Sequence, residues 1–153
     1  ASLPDGTGEA ERLAPSLRRI AYSIVRNEHD TQDAVQQALL SVWARRENVD
    51  LARLKPYLAR AVINACRDIQ RARQKAIPVE NVPESGYEPP DSALYDAVER
   101  LPEELRLPLL LHYMEGYKLA EIAGALGQSL PQLTSRLFRA RKLLRRMLEE
   151  VEA

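Results

Sequence analysis

An all-α protein of two small helical domains joined by a Pro/Glu-rich linker is the expectation here, and three observations carry it. Apolar residues recur at spacings of three and four through most of the chain. Few β-branched alternations leave any convincing strand. Residues 76–90 hold four prolines and no hydrophobic periodicity. With 153 residues, 45% of them hydrophobic, one or two real cores are affordable. The expected division is a first domain over residues 9–75, a linker over 76–90 and a second domain over 91–151.

In the first domain, Leu13, Leu17, Ile20 and Ile24 make one apolar stripe, with Pro15 placed in that helix's first turn. The polar run Asn27-Glu28-His29-Asp30 reads as a turn, and Thr31 or Asp30 as the cap of the next helix. That helix, TQDAVQQALLSVWARR, is expected to bury Val35, Ala38, Leu39, Val42 and Trp43. Its other side shows Asp33, Gln36, Gln37, Leu40 and Ala44, nearly without cations, which fits a protein-binding face or a merely solvated one. After a loop from Glu47 to Leu54, Pro56 is expected to open a third helix with Leu58, Ala61, Val62, Ala65 and Ile69 inward. On its opposite side Arg60, Asn64, Arg67 and Arg71 are spaced four, three and four apart, a continuous cationic stripe suited to phosphates. Cys66 at its edge reads as a small packing residue.

The linker carries Glu80, Glu84 and Glu88 and favours extended conformations. Beyond it, a helix is expected from Asp91 to Leu101. Pro102-Glu103-Glu104 should open another through Leu105, Leu109, Leu110 and Tyr113, closed by Gly116. The stretch Tyr117–Arg146 then reads as a helix-turn-helix. Leu119, Ile122, Ala123 and Leu126 form the first helix, Gly127 ends it, and Ser129 with Pro131 opens the second. In that second helix Leu133, Leu137, Ala140, Leu144, Met147 and Val151 share a stripe, while Ser135, Arg139, Lys142 and Arg146 point away from it. From Thr134 to Leu148 there are six cations and no acid, whereas a solvated helix normally mixes signs to gain i,i+4 pairs.

The formal net charge is zero, but the charges are segregated along the chain. Residues 45–75 carry nine cations against three acids, and residues 76–133 three cations against ten acids. Two basic stretches flanking an acidic middle imply two separate contacts with a polyanion. A single Cys fits a reducing, cytoplasmic setting. No apolar run reaches the ~20 residues of a membrane span and no leader pattern opens the sequence, so no membrane contact is expected. His29 and His112 stand alone, without Cys or a second His at ligand spacing, so no metal is expected. Nothing calls for a cofactor, and no acid/base pair or nucleophile constellation points to catalysis.

With both halves in view, the chain resembles the extracytoplasmic-function (group IV) sigma factors of the sigma-70 family over about residues 10 to 148. DTQDAVQQALLSVW is similar to the family's D-x-x-Q-E-x-F-x-x-x-W helix, with Gln37 in place of the acid. YLARAVINACRDIQR is similar to its W-L-x-x-I-A-R-N-x-x-x-D-x-x-R segment, with Tyr57 in place of the Trp. LPEELRLPLLLHYMEGYKLAEIAGALG and LTSRLFRARKLLR follow its L-P-x-x-x-R…E-G…E-I-A-x-x-L-G and T-V-K-S-R-L-x-R-A-R-x-x-L-R patterns. Pro131, Gln132 and Thr134 stand where Gly, Thr and a cation are usual.

The resemblance implies a promoter-recognition factor. Asp33, Gln36, Gln37 and Leu40 would bind core RNA polymerase, and Arg60, Asn64, Arg67 and Arg71 would open the −10 element. In the recognition helix Gln132, Ser135 and Arg136 would read the −35 element of promoter DNA, with Arg139, Lys142 and Arg146 on phosphates. An internal ion pair of Arg136 with Glu115 or Glu121 is the alternative to its reading role. Whether a dedicated anti-sigma factor holds the domains shut stays open. A stand-alone helix-turn-helix regulator is the competing function, but it leaves the Arg60–Arg71 stripe unused.

Overall fold

The computed structural model describes residues 3–75 and 93–152, and among these there are helices and turns but no strand. The chain divides into two units, Ala1–Gly86 and Tyr87–Ala153. The linker reading at 76–90, with Glu80, Glu84 and Glu88, and the helix start at Asp91 lie outside the described residues.

In the first unit α1 (Leu3–Val25), α2 (Glu28–Ala44) and α3 (Leu54–Lys75) pack against one another in all three pairings. The expected stripes make the core: Leu17 and Ile20 from α1, Ala34 and Ala38 from α2, and Leu58, Val62 and Cys66 from α3 are at most 1% exposed. Each fully buried Leu or Ile contributes about 1.5–3 kcal/mol, so this seam holds the bundle.

Four local expectations need correction. Pro15 lies in the interior of α1, because the helix begins at Leu3. Its side chain is on the exposed side of the helix, where water can satisfy the carbonyl that a proline leaves without a partner. The cap of α2 is Asn27, not Asp30 or Thr31. Asn27 Oδ1 accepts the Asp30 N–H at 2.8 Å, and Asn27 Nδ2 donates to Asp30 Oδ2 at 2.9 Å. Asp30 is thereby free for longer-range work: 4% exposed, it pairs with Arg73 Nη2 at 2.7 Å and ties the start of α2 to the end of α3. Within the expected 47–54 loop a 3₁₀ turn forms at Leu51–Arg53, capped by Asp50, and α3 starts at Leu54 rather than Pro56. Trp43, finally, is 47% exposed. It sits about 100° round the helix from buried Val42 and away from Ala34 and Ala38, so the bundle cannot cover it.

The second unit comprises α4 (Ala93–Arg100), α5 (Glu103–Leu109) running into a π turn (Leu110–Met114), α6 (Leu119–Leu126) and α7 (Leu130–Glu152). The i→i+5 bond from Glu115 N–H to Leu110 O widens the helix there. The extra residue per turn shifts the register, and Tyr113, expected on the apolar stripe, emerges 52% exposed. Gly116 at φ 76 and Gly127 at φ 66 take the left-handed conformation that ends the preceding helices. α7 anchors the unit through Leu133, Leu137 and Ala140, at 0–3% exposure, against α4, α5 and α6. Leu144 and Met147 continue this side half-buried, and Val151 lies outside the described side chains. Arg106, 6% exposed, donates through Nη1 to Leu101 O at 2.6 Å and closes the end of α4.

Candidate nucleic-acid interface

The face of α2 opposite its core residues presents Asp33, Gln36, Gln37 and Leu40, all exposed, with Leu40 at 59%. The structure splits the set. Gln37 Nε2 donates to Asp33 Oδ2 at 3.2 Å, so these two satisfy each other along the helix. Gln36 and Leu40 instead line a groove of about 1070 Å³ with Leu39 and Trp43, against Ala14 and Arg18 of α1. Over Trp43 the guanidinium of Arg46 sits 4.7 Å from the ring centroid, while Arg46 Nη1 donates to Trp43 O at 3.0 Å. A mainly apolar groove with a polar lip can take an apolar side chain from a partner.

On α3, Arg60, Asn64 and Arg71 are exposed and Arg67 is half-buried, opposite buried Leu58, Val62 and Ala65. The stripe exists, but it is not uniformly unpaired. Arg71 forms a close ion pair with Asp68, and Arg67 Nη1 donates to Gln70 Oε1 at 3.4 Å. Gln70 in turn donates to Ile24 O at 3.3 Å, so the arginine is steadied against α1. Tyr57 is half-buried at the start of this helix.

α6 and α7 form the helix-turn-helix. Lys118 N–H donates to Glu121 Oε1 at 2.9 Å at the start of α6. At the start of α7 a reciprocal pair closes the cap: Gln132 N–H donates to Ser129 Oγ at 3.3 Å, and Ser129 N–H donates to Gln132 Oε1 at 3.1 Å. Gln132 is thus structural as well as exposed. Ser135, Arg139, Lys142 and Arg146 are all exposed, and Arg136 is half-buried. Arg141 donates to the Tyr113 hydroxyl, and its guanidinium lies 5.8 Å from that ring's centroid. One exposed residue of α7 went unread in the sequence: Phe138, at 60%. The signal was there, since Phe138 is an apolar residue out of step with the Leu133–Leu137–Ala140 stripe.

His29 is exposed, and His112 Nδ1 lies 3.0 Å from Tyr117 O. No group of metal-binding side chains occurs among the described residues.

Residues 10–76 match the family model for sigma-70 region 2, and residues 91–144 that for sigma-70 region 4. The RNA polymerase sigma-E factor of Streptomyces coelicolor is 34% identical over 149 residues, spanning 90% of this chain and 81% of the relative. The chain belongs to the extracytoplasmic-function sigma factors of the sigma-70 family. The sigma factor SigM of Mycobacterium tuberculosis is 36% identical, over 86% of this chain and 71% of the relative. For SigE of Mycolicibacterium smegmatis the identity is 28%, and the chain spans 62% of that protein's length. The fold is shared with the sigma factor RpoE of Bartonella quintana, solved in complex with the anti-sigma factor NepR. That match has TM-score 0.76 and 22% identity, and covers 95% and 97% of the two chains. As a sigma factor, the chain directs core RNA polymerase to promoters and is a transcription initiation factor. Membership favours this over a stand-alone helix-turn-helix regulator. Among the described residues no helix is long and apolar enough to cross a membrane.

Proposed function

We propose the following division of labour within this sigma factor. The first functional module, residues 9–75, holds core RNA polymerase by the α2 face, with Gln36 and Leu40 at the groove and Asp33 and Gln37 beside them. The α3 stripe of Arg60, Asn64, Arg67 and Arg71 acts on the opened −10 strand. The second module, residues 91–151, reads the −35 element with Gln132, Ser135 and Arg136 near the start of α7, and meets phosphates with Arg139, Lys142 and Arg146. The observation that carries this is the outer side of α7, where Ser135, Arg139, Lys142 and Arg146 are exposed together without an acid between Thr134 and Leu148.

The chain acts in the cytoplasm and supplies no catalysis of its own; the polymerase is the catalyst. Because RpoE of Bartonella quintana is bound by an anti-sigma factor, a protein antagonist that masks the same faces belongs to this reading. The decisive experiment is promoter-specific run-off transcription with and without core enzyme. Transcript should require both components. Template-strand melting is followed by permanganate on closed and pre-melted templates. Arg67→Ala with Arg71→Ala should impair the closed template and be rescued on the bubble, and equal losses on both would refute a melting role.

A further inference from the structure

We infer that Asp30 and Arg73 are positioning residues for promoter opening: their ion pair fastens the last two turns of α3 to the corner between α1 and α2, and so sets where Arg67 and Arg71 stand. The inference rests on the α3 stripe acting at the −10 element, and it names what holds that stripe in place.

Arg73 belongs to the basic stretch of residues 45–75, yet it is no member of the stripe. It follows Val62 by eleven residues and Cys66 by seven, which continues the buried side of α3, and it stands about 200° round the helix from Arg71. That side changes character along its length. Val62 and Cys66 are fully buried, whereas Ile69 is only half-buried and the next positions on the same side are Gln70 and Arg73. The turns that carry Arg67 and Arg71 therefore lie at the edge of the apolar core. Polar bonds hold them there: Gln70 Nε2 donates to Ile24 O at 3.3 Å, and Arg73 Nη2 pairs with Asp30 Oδ2 at 2.7 Å.

The ion pair is the firmer of the two, being shorter and charged on both sides. Its acidic end is fixed. Asp30 is 4% exposed, Asn27 Nδ2 donates to the same Oδ2 at 2.9 Å, and Thr31 Oγ1 closes the corner on Asn27 O at 2.7 Å. A carboxylate this far from water needs its cation, so the end of α3 is drawn to one spot. Breaking the pair leaves the apolar core whole but loosens the end of the helix, and with it Gln70, which steadies Arg67 at 3.4 Å. A phosphate contact is the other use for an arginine here. Geometry opposes it, since Arg73 faces away from Arg60, Asn64, Arg67 and Arg71 and is already engaged by Asp30.

The test uses holoenzyme reconstituted from the full chain and core RNA polymerase, with each variant saturating so that only assembled holoenzyme is compared. Opening of a closed promoter is followed over time by permanganate, beside a pre-melted template and a salt series of promoter binding. Asp30→Asn and Arg73→Gln should each slow opening about tenfold, a coupling of the size that two groups of one ion pair show. The double variant should be no slower than either alone, and Arg73→Lys, which can still pair, should keep most of the rate. Capture of core polymerase, reactivity of the pre-melted template and the salt slope should match wild type. Should Asp30→Asn fail to fold by circular dichroism, the contrast between Arg73→Gln and Arg73→Lys decides together with the salt slope, since the Arg73 side chain is 46% exposed and outside the core. Slow opening by Arg73→Gln with Asp30→Asn like wild type, and a salt slope flattened by about 0.9, would make Arg73 a phosphate contact and overturn the inference. So would multiplied losses in the double variant, Arg73→Lys as slow as Arg73→Gln, equal losses on both templates, or wild-type opening by variants that differ only in stability. Arg67→Ala with Arg71→Ala separates the two failures. If that variant impairs the closed template and the ion-pair variants do not, only this inference falls; if it has no effect either, α3 is not the opening helix.

Discussion

At the scale of single residues, Gln132 shows how one side chain can carry two duties that a substitution must separate. Its Oε1 closes the cap of α7 on Ser129 N–H, while its amide N–H is the donor that adenine N7 would need. Gln132→Ala removes both, so it should lower stability by about 0.5–2 kcal/mol and shift the preferred −35 sequence by about 1–3 kcal/mol against the best site. Gln132→Glu keeps the capping acceptor and puts an anion at a helix N-terminus, so its stability should stay close to wild type. Its preference should nonetheless change, because a carboxylate has no donor for adenine. Thermal unfolding with selection from a randomised −35 library reads both, and an unchanged preference in both variants would remove Gln132 from the reading set. On α2 the corresponding contrast is Leu40 against Val35, 59% and 7% exposed. Leu40→Asp should leave the fold intact and weaken core polymerase capture by about 1.5–3 kcal/mol, whereas Val35→Asp should unfold the first unit. Undiminished pull-down by Leu40→Asp would show that the binding face lies elsewhere.

At the scale of elements, what was legible was periodicity, and what was not was geometry that periodicity does not carry. The stripes Leu13–Ile24, Leu58–Ile69 and Leu133–Met147 were readable because burial on one side of a helix imposes the spacing directly. Gly116 and Gly127 were readable because few residues other than glycine sit at φ near +70° without strain. The start of α2 was missed by three residues because Asn27, Asp30 and Thr31 are all good caps, and the sequence does not show that Asp30 is instead paired with Arg73, forty-odd residues away. The π turn at Leu110–Met114 was invisible, since its widened bond leaves no compositional mark, and it turned Tyr113 outward. At the candidate site the exposed set on α2, α3 and α7 was legible by subtraction from those stripes. Which members pair with neighbours (Arg71 with Asp68, Gln37 with Asp33) needed coordinates. Two substitutions probe the elements themselves. Pro15→Ala should stabilise the first unit, by up to about 3 kcal/mol, by restoring a donor inside α1. Gly127→Ala should destabilise the second by about 1 kcal/mol through φ alone, since nothing within 4 Å would meet the added methyl. Urea unfolding curves decide both; a destabilising Pro15→Ala would mean that the proline's shape is needed where it sits.

At the scale of the whole molecule, charge order along the chain governs how the protein finds its target. A net charge of zero, with a basic stretch at 45–75, an acidic one at 76–133 and a second basic one at 134–148 balanced by a small acidic excess in the rest of the chain, gives little general attraction to duplex DNA. Each unit turns only part of its exposed cations to one helix face, and in the first unit Arg71 is already paired with Asp68. Binding that depends on releasing a handful of counterions is weak and salt-sensitive. The α2 groove, by contrast, gains from covering apolar surface, which salt does not screen. The free chain should therefore capture core RNA polymerase at physiological salt while giving no specific shift of a promoter duplex, and the holoenzyme should shift that duplex strongly. Within the holoenzyme, Lys142→Ala should weaken all promoter sequences alike and flatten the plot of log affinity against log salt by about 0.9, the worth of one phosphate contact. Filter binding across a salt series measures both. Tight, sequence-specific binding of the free chain to duplex promoter at physiological salt would contradict the argument from charge order. A sequence preference reshaped by Lys142→Ala would move that lysine from the phosphates to the bases.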